Sequence, residues 1–154
     1  MRRRRPEKRT ILPDTKYNDL SVAKFINYIM ENGKKGVAEK IFYSAMELVR
    51  KKTKTDGIKI FKKSIENTSP SVEVKSRRIG GATYQVPIEV PKKRAFYLAS
   101  LWIINASKNS SGKPMSEKLA SELIASANGD GNAIKKKEDT HRMADANKAF
   151  AHFR

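Results

Sequence analysis

The chain has 154 residues, with 33 Lys and Arg against 16 Asp and Glu, a formal charge of +17. Self-repulsion on that scale opposes a compact free monomer and calls for a polyanionic partner, nucleic acid first and acidic lipid second. The absence of Cys excludes disulfides, thiolate metal sites and cysteine nucleophiles, and no window nears the roughly eighteen apolar residues of a membrane span.

Residues 1–9 carry six cations, Arg2, Arg3, Arg4, Arg5, Lys8 and Arg9, and one acid, Glu7. A segment so charged does not pack by itself, and residues 1–10 are set apart as a basic N-terminal arm. It has no apolar stretch of the kind a secretory signal needs, and Glu7, Pro6 and the lack of Ser argue against a transit peptide. Residues 11–154 are expected to form a single helical domain with a β-hairpin over 72–90 and a modest core.

The first helical face runs through Leu20, Ala23, Phe25, Ile26, Ile29 and Met30, with Asn18 or Asp19 as N-cap and Gly33 as terminator. A second helix is expected from about Val37, with Val37, Ile41, Ala45, Leu48 and Val49 inward and Arg50, Lys51 and Lys52 in its last turn. Asp56 caps a short third helix with Ile58, Phe61 and Ile65 inward, closed before Pro70. Pro91 opens a fourth, the most apolar, with Ala95, Phe96, Leu98, Ala99, Trp102, Ile103 and Ala106 on its inner side. After the polar loop KNSSGK, Pro114 opens a fifth helix with Leu119, Leu123, Ile124 and Ala127, ended by Asn128–Gly129. Asn132 caps a sixth carrying Ile134, Met143, Ala146, Ala149 and Phe150. The fold class is therefore mainly α: a six-helix body with one protruding β-hairpin.

The hairpin lies between the third and fourth helices, in VEVKSRRIGGATYQVPIEV. Gly80–Gly81 invites a two-residue primed turn, which would pair residues whose numbers sum to 161. The apolar pattern objects, because Val72, Val74, Val86, Ile88 and Val90 are all even-numbered and that register splits them between two faces. A loop of three or five residues, or a glycine bulge at Ile79–Ala82, is therefore expected. The apolar base docks on helices, while Lys75, Arg77, Arg78, Ile79 and Tyr84 gather toward a free tip.

Cations belong at helix C-termini, where the macrodipole is negative. Four clusters break that rule: Lys34–Lys35 before the second helix, Lys92, Lys93 and Arg94 opening the fourth, Lys113 before the fifth, and Lys135, Lys136 and Lys137 in the expected first turn of the sixth. Free backbone N–H groups beside cations form phosphate sites. A local rule broken repeatedly points to function.

Sites for chemistry are missing. NGKKG and SGK lack the upstream glycine and the following Ser or Thr of a phosphate-binding loop. His141 and His152 have no third ligand at helical spacing, so no metal or cofactor is expected. Glu138 and Asp139 read as salt-bridge partners of Lys137 and Arg142 rather than as an acid–base pair. Trp102 reads as core rather than as a base-stacking platform. An architectural DNA-binding protein with a β-arm tipped by Ile79 fits the charge as a second reading, though no dimer seam is legible. An RNA-processing enzyme would need a convergent acid, base or metal cluster that is not seen.

Three segments, NDLSVAKFINYIMENGKKGVAEKIFYSA, SVEVKSRRIGGATYQVPIEV and KKEDTHRMADANKAFAHFR, strongly resemble small-subunit ribosomal protein seven of the bacterial type, over nearly the whole chain from Ile11. The resemblance implies a non-enzymatic, cytoplasmic ribosomal protein that binds small-subunit ribosomal RNA first and nucleates the 3′ major domain, the head. It implies ribosomal-RNA contacts at the arm, Lys34, Lys35, Lys75, Lys92, Lys93, Arg94 and Lys113. It puts Arg77, Arg78, Gly80 and Gly81 at the hairpin tip, Ile79 among them, near exit-site transfer RNA, with Arg142 alongside. Neighbouring head and platform proteins, eleven and nine among them, are the implied partners. Several members of that family continue past the AHFR motif, whereas this sequence stops at Arg154.

Overall fold

The structure is a computed structural model that describes residues 10–153. The arm residues Arg2, Arg3, Arg4, Arg5, Lys8 and Arg9 lie outside the described residues. The chain divides into two compact units, Met1–Lys40 and Ile41–Arg154, with the division inside one continuous helix.

In the first unit, the buried Asp14 carboxylate accepts the backbone N–H groups of Lys16 and Tyr17 at 3.1 and 3.0 Å. This aspartate turn leads to Asn18, which holds a left-handed φ of 48° that Asn tolerates. Asp19 then caps α1, Leu20–Ile29, accepting from Ser21 N–H at 2.7 Å. Val22, Ala23, Phe25, Ile26 and Ile29 are its buried face. The helix stops before the expected terminator, because Met30 already leaves the helical region at ψ 130°. Gly33 instead serves the connecting turn with φ 73°.

Helix α2, Lys35–Thr53, starts earlier than expected. Its buried stripe is Ala38, Phe42, Ala45, Met46 and Val49, so the face is rotated from the expected one. Val37 is 54% exposed, and Ile41 and Leu48 are half-buried. Two adjacent stripes of this helix are apolar, and the one with the larger side chains wins the core. Phe42 meets Phe61 edge-to-face, with ring centroids 5.5 Å apart.

Asp56 accepts from Ile58 N–H at 3.2 Å and starts α3, Gly57–Thr68, with Phe61 and Ile65 buried. The hairpin follows as β1, Val72–Ile79, and β2, Ala82–Glu89, and then α4, Lys92–Asn109, α5, Met115–Ala127, and α6, Asn132–Ala146. Pro91 and Pro114 stand at the N-cap positions of α4 and α5, one residue ahead of the expected ones, and Gly131 does so for α6. Helix α3 packs on α4 and α5, α4 on α5 and α6, and α6 on the hairpin. Phe42, Phe61, Met46, Ile103, Ile104, Leu119, Leu123 and Val86 are fully buried in this unit.

The sixth helix is shorter than expected. Asn147 caps it, and Lys148–Phe153 form a separate 3₁₀ turn, η1, that packs on β2. Ala149 and Phe150 thus belong to η1, while Met143 is 49% exposed and Ala146 is also exposed.

The hairpin register departs from expectation as well. Val74 pairs with Pro87 and Ile79 with Ala82, so the loop is the two-residue Gly80–Gly81 turn, with φ 56° and 90°. Positive φ at both central residues is the primed-turn geometry that glycine favours. The parity objection assumed one buried face. Val86 and Pro87 are adjacent, point to opposite faces and are both buried. Cover on both faces of the base removes the need to gather every apolar residue on one.

Candidate nucleic-acid interface

The helix starts fall into two chemical groups. Carboxylates serve α1, α3 and α6: Asp19, Asp56, and Glu122, whose carboxylate accepts the N–H of Ala133 at 2.8 Å. By contrast α4 and α5 begin at Pro91 and Pro114 with no side-chain cap and with cations beside them, although Glu117 also stands in the first turn of α5. Lys92, Lys93 and Arg94 form the exposed first turn of α4, which holds no acid. Lys113 is exposed just ahead of α5. Uncapped N–H groups, a positive dipole end and ammonium groups coincide at both places, the arrangement that accepts phosphate oxygens. An α4 of 18 residues separates these ends by about 27 Å.

Lys34 and Lys35 are exposed where α2 begins, with the Lys34 carbonyl accepting from Ala38 N–H at 3.3 Å. Lys35 approaches Glu39 at 3.9 Å in a solvent-exposed pair that contributes little.

The expected cluster on α6 differs. Asn132, Ala133 and Ile134 occupy its first turn, so Lys135, Lys136 and Lys137 lie beyond the reach of free N–H groups. Lys137 is half-buried and donates its Nζ proton to the carbonyl of Asn67 at 2.5 Å. Asn67 in turn donates its amide to the carbonyls of Ser126 and Ala127, both at 3.0 Å. Lys137 thus ties α6 to the ends of α3 and α5, while Lys135 and Lys136 face solvent. Arg142 holds Asp139 at 2.6 Å on the α6 surface.

On the hairpin, Arg77, Arg78, Gly80 and Gly81 are exposed and Ile79 is half-buried. Tyr84 is anchored rather than free: its ring lies 5.3 Å from that of Phe150 in η1. The free tip is therefore shorter than the sequence suggests. Lys75 and Arg94, expected to be open cations, converge on Glu73, at 3.6 and 3.1 Å. Among the described residues, no carboxylate lies within 4.0 Å of Lys34, Lys92, Lys93, Lys113, Lys135, Lys136, Arg77 or Arg78.

Sequence reasoning missed two features here. Glu73 is only 8% exposed, yet it lies in the polar phase of the strand alternation, so the sequence carries no local signal of its burial. His141 accepts the backbone N–H of Ser71, just before β1, at 3.2 Å through Nε2. That bond joins the middle of α6 to the hairpin root. Trp102 is half-buried rather than core, and with Leu98, Val74, Gln85, Thr140, Met143 and Asn147 it lines a cavity of about 430 Å³. Among the described residues no group of His, Asp and Glu is placed to hold a metal, and no helix is long and apolar enough to cross a membrane.

These features suit a non-catalytic binder of an extended polyanion, and relatives bear on which one. The sequence model of the family described as ribosomal protein S7p/S5e matches residues 1–148. The chain is 56% identical over 154 residues to the small ribosomal subunit protein uS7 of Thermotoga maritima, covering all of this chain and 99% of that one. It is 57% identical to the uS7 of Gemmatimonas aurantiaca and 58% identical to that of an Anaeromyxobacter species, each covering 99% of this chain and 98% of the relative. The chain belongs to the ribosomal protein S7p/S5e family, and is accordingly an RNA-binding structural protein of the small ribosomal subunit rather than an enzyme.

Proposed function

We propose that this protein is a primary binder of small-subunit ribosomal RNA, that it attaches to the 3′ major domain and that it nucleates assembly of the subunit head. Its hairpin tip, Arg77–Gly81, reaches exit-site transfer RNA beside the message path. The platform protein eleven, near the hairpin or α6, and the head protein nine are its protein neighbours. The observation that carries the reading is the pair of uncapped, lysine-bearing starts of α4 and α5. Two phosphate-accepting ends on one rigid helix pair fit a folded RNA, whose separate strands present phosphates at many angles. RNA helices hide their base edges in a deep groove, so phosphate, 2′-hydroxyl and shape readout dominate the contact.

Footprinting on naked small-subunit RNA tests the reading directly. Protection confined to the 3′ major domain without any other protein is expected. Protection that requires a second ribosomal protein overturns the primary role. Competition with a matched DNA duplex separates RNA recognition from general polyanion binding, and equal affinity for the duplex counts against the proposal.

A further inference from the structure

Arg94 sits among the cations expected to touch phosphate, yet its exposed side chain is already engaged by a partner within the chain. Its Nε and Nη2 both donate to Oε2 of Glu73, at 3.3 and 3.1 Å. The guanidinium also lies over the Tyr97 ring, 5.5 Å from its centroid. Glu73 is a hairpin residue, paired with Ile88 across the ladder, whereas Arg94 and Tyr97 belong to the first turns of α4. The other Glu73 oxygen faces Lys75 Nζ at 3.6 Å. Glu73 is among the buried residues of this chain, and a buried carboxylate without its cation is costly. Two donors to one oxygen, with the guanidinium carbon beside a ring, form a more directional joint than a lysine resting on a surface. Lys92 and Lys93, next in sequence, have no such partner among the described residues.

We propose that Glu73 and Arg94 are positioning residues that fix the direction of the hairpin relative to α4, and that Arg94 is not one of the phosphate ligands. The joint stands at the base of the ladder, so a small rotation there is multiplied along strands of eight residues, about 26 Å long. The RNA-binding half of this inference rests on the function proposed above, whereas the geometric half does not.

The test separates the two. The chain has no Cys, so spin labels can be placed at Thr83→Cys, near the tip, and Ser121→Cys, on the exposed side of α5, in the full-length free protein. A narrow label-to-label distance distribution is expected for the parent and a broadened or shifted one for Glu73→Gln and for Arg94→Lys, with helical circular dichroism unchanged. Arg94→Lys keeps the charge but loses the fork, so a purely electrostatic role leaves it like the parent. On ribosomal RNA, Lys92→Gln should flatten the plot of log K against log salt by about 0.7 to 0.9, whereas Arg94→Gln should leave its slope unchanged. An unaltered distance distribution in both Glu73→Gln and Arg94→Lys overturns the joint. A slope loss in Arg94→Gln equal to that of Lys92→Gln overturns its exclusion from the ligands. If the parent protein fails to bind the RNA at all, the proposed function falls, while the distance measurement still decides the joint.

Discussion

Gly57 opens α3, and a Cβ built on it would stand 2.8 Å from the main-chain oxygen of Met46 in α2. Helix propensity alone favours alanine there by up to about 1 kcal/mol. The obstacle is backbone, which cannot swing aside, so the clash outweighs propensity. Gly57→Ala should lose roughly 1–3 kcal/mol of stability, read as a lower urea midpoint with an unchanged slope. Phe42, fully buried against Phe61, should cost about 3–5 kcal/mol on truncation to Ala. At the hairpin tip the same scale gives an opposite result. Arg77 and Arg78 are exposed without a carboxylate partner among the described residues. Arg77→Glu with Arg78→Glu should therefore leave the helical circular dichroism intact and, on the function proposed above, weaken contact with exit-site transfer RNA. Loss of the fold in that double variant would assign the tip a structural role.

Among elements, the hairpin and η1 depend on each other. A two-stranded sheet alone is marginal in water. Here β1 leans on α6 and β2 on η1, with Tyr84 and Phe150 as the aromatic contact. Phe150→Ala should remove about 0.5–1.5 kcal/mol beyond the buried area of the ring. Amide hydrogen exchange should then accelerate in β2 and leave α3–α5 protected; uniform protection across β2 would show that η1 gives the strand no support. Gly81 holds φ 90° with no atom within 4 Å of an added Cβ. Gly81→Ala thus meets no clash and pays only in backbone strain, about 1–2 kcal/mol. That loss should be smaller than the one from a buried core truncation in the same unfolding assay.

At the scale of the molecule, charge sets the mode of association. Lys34, Arg77, Arg78, Lys92, Lys93, Lys113, Lys135 and Lys136 are without a carboxylate partner among the described residues. They stand in groups at the starts of α2, α4 and α5, on α6 and on the hairpin, so on the function proposed above several phosphates are neutralised at once. With roughly six to ten contacts, each adding about 0.7 to 0.9 to the slope, affinity for ribosomal RNA should fall steeply with salt. A total slope near −1 would mean that a single cluster carries the binding. Most of its buried side chains are apolar, and Asp19, Asp56 and Glu122 serve as helix caps while Glu73 forms the joint.

The existence and order of the six helices and the hairpin were legible in the sequence, because apolar period, Asp caps, prolines and glycines are local signals that act within a few residues. The cations at the starts of α2, α4 and α5 were legible for the same reason. The buried stripe of α2, the hairpin register, the separation of η1 from α6 and the engagement of Arg94, Lys75 and Lys137 were decided only by tertiary packing. Each depends on what a second element places opposite: larger side chains select between two apolar stripes, cover on both faces cancels a parity rule, and a carboxylate from the neighbouring strand claims a cation that its own helix leaves open.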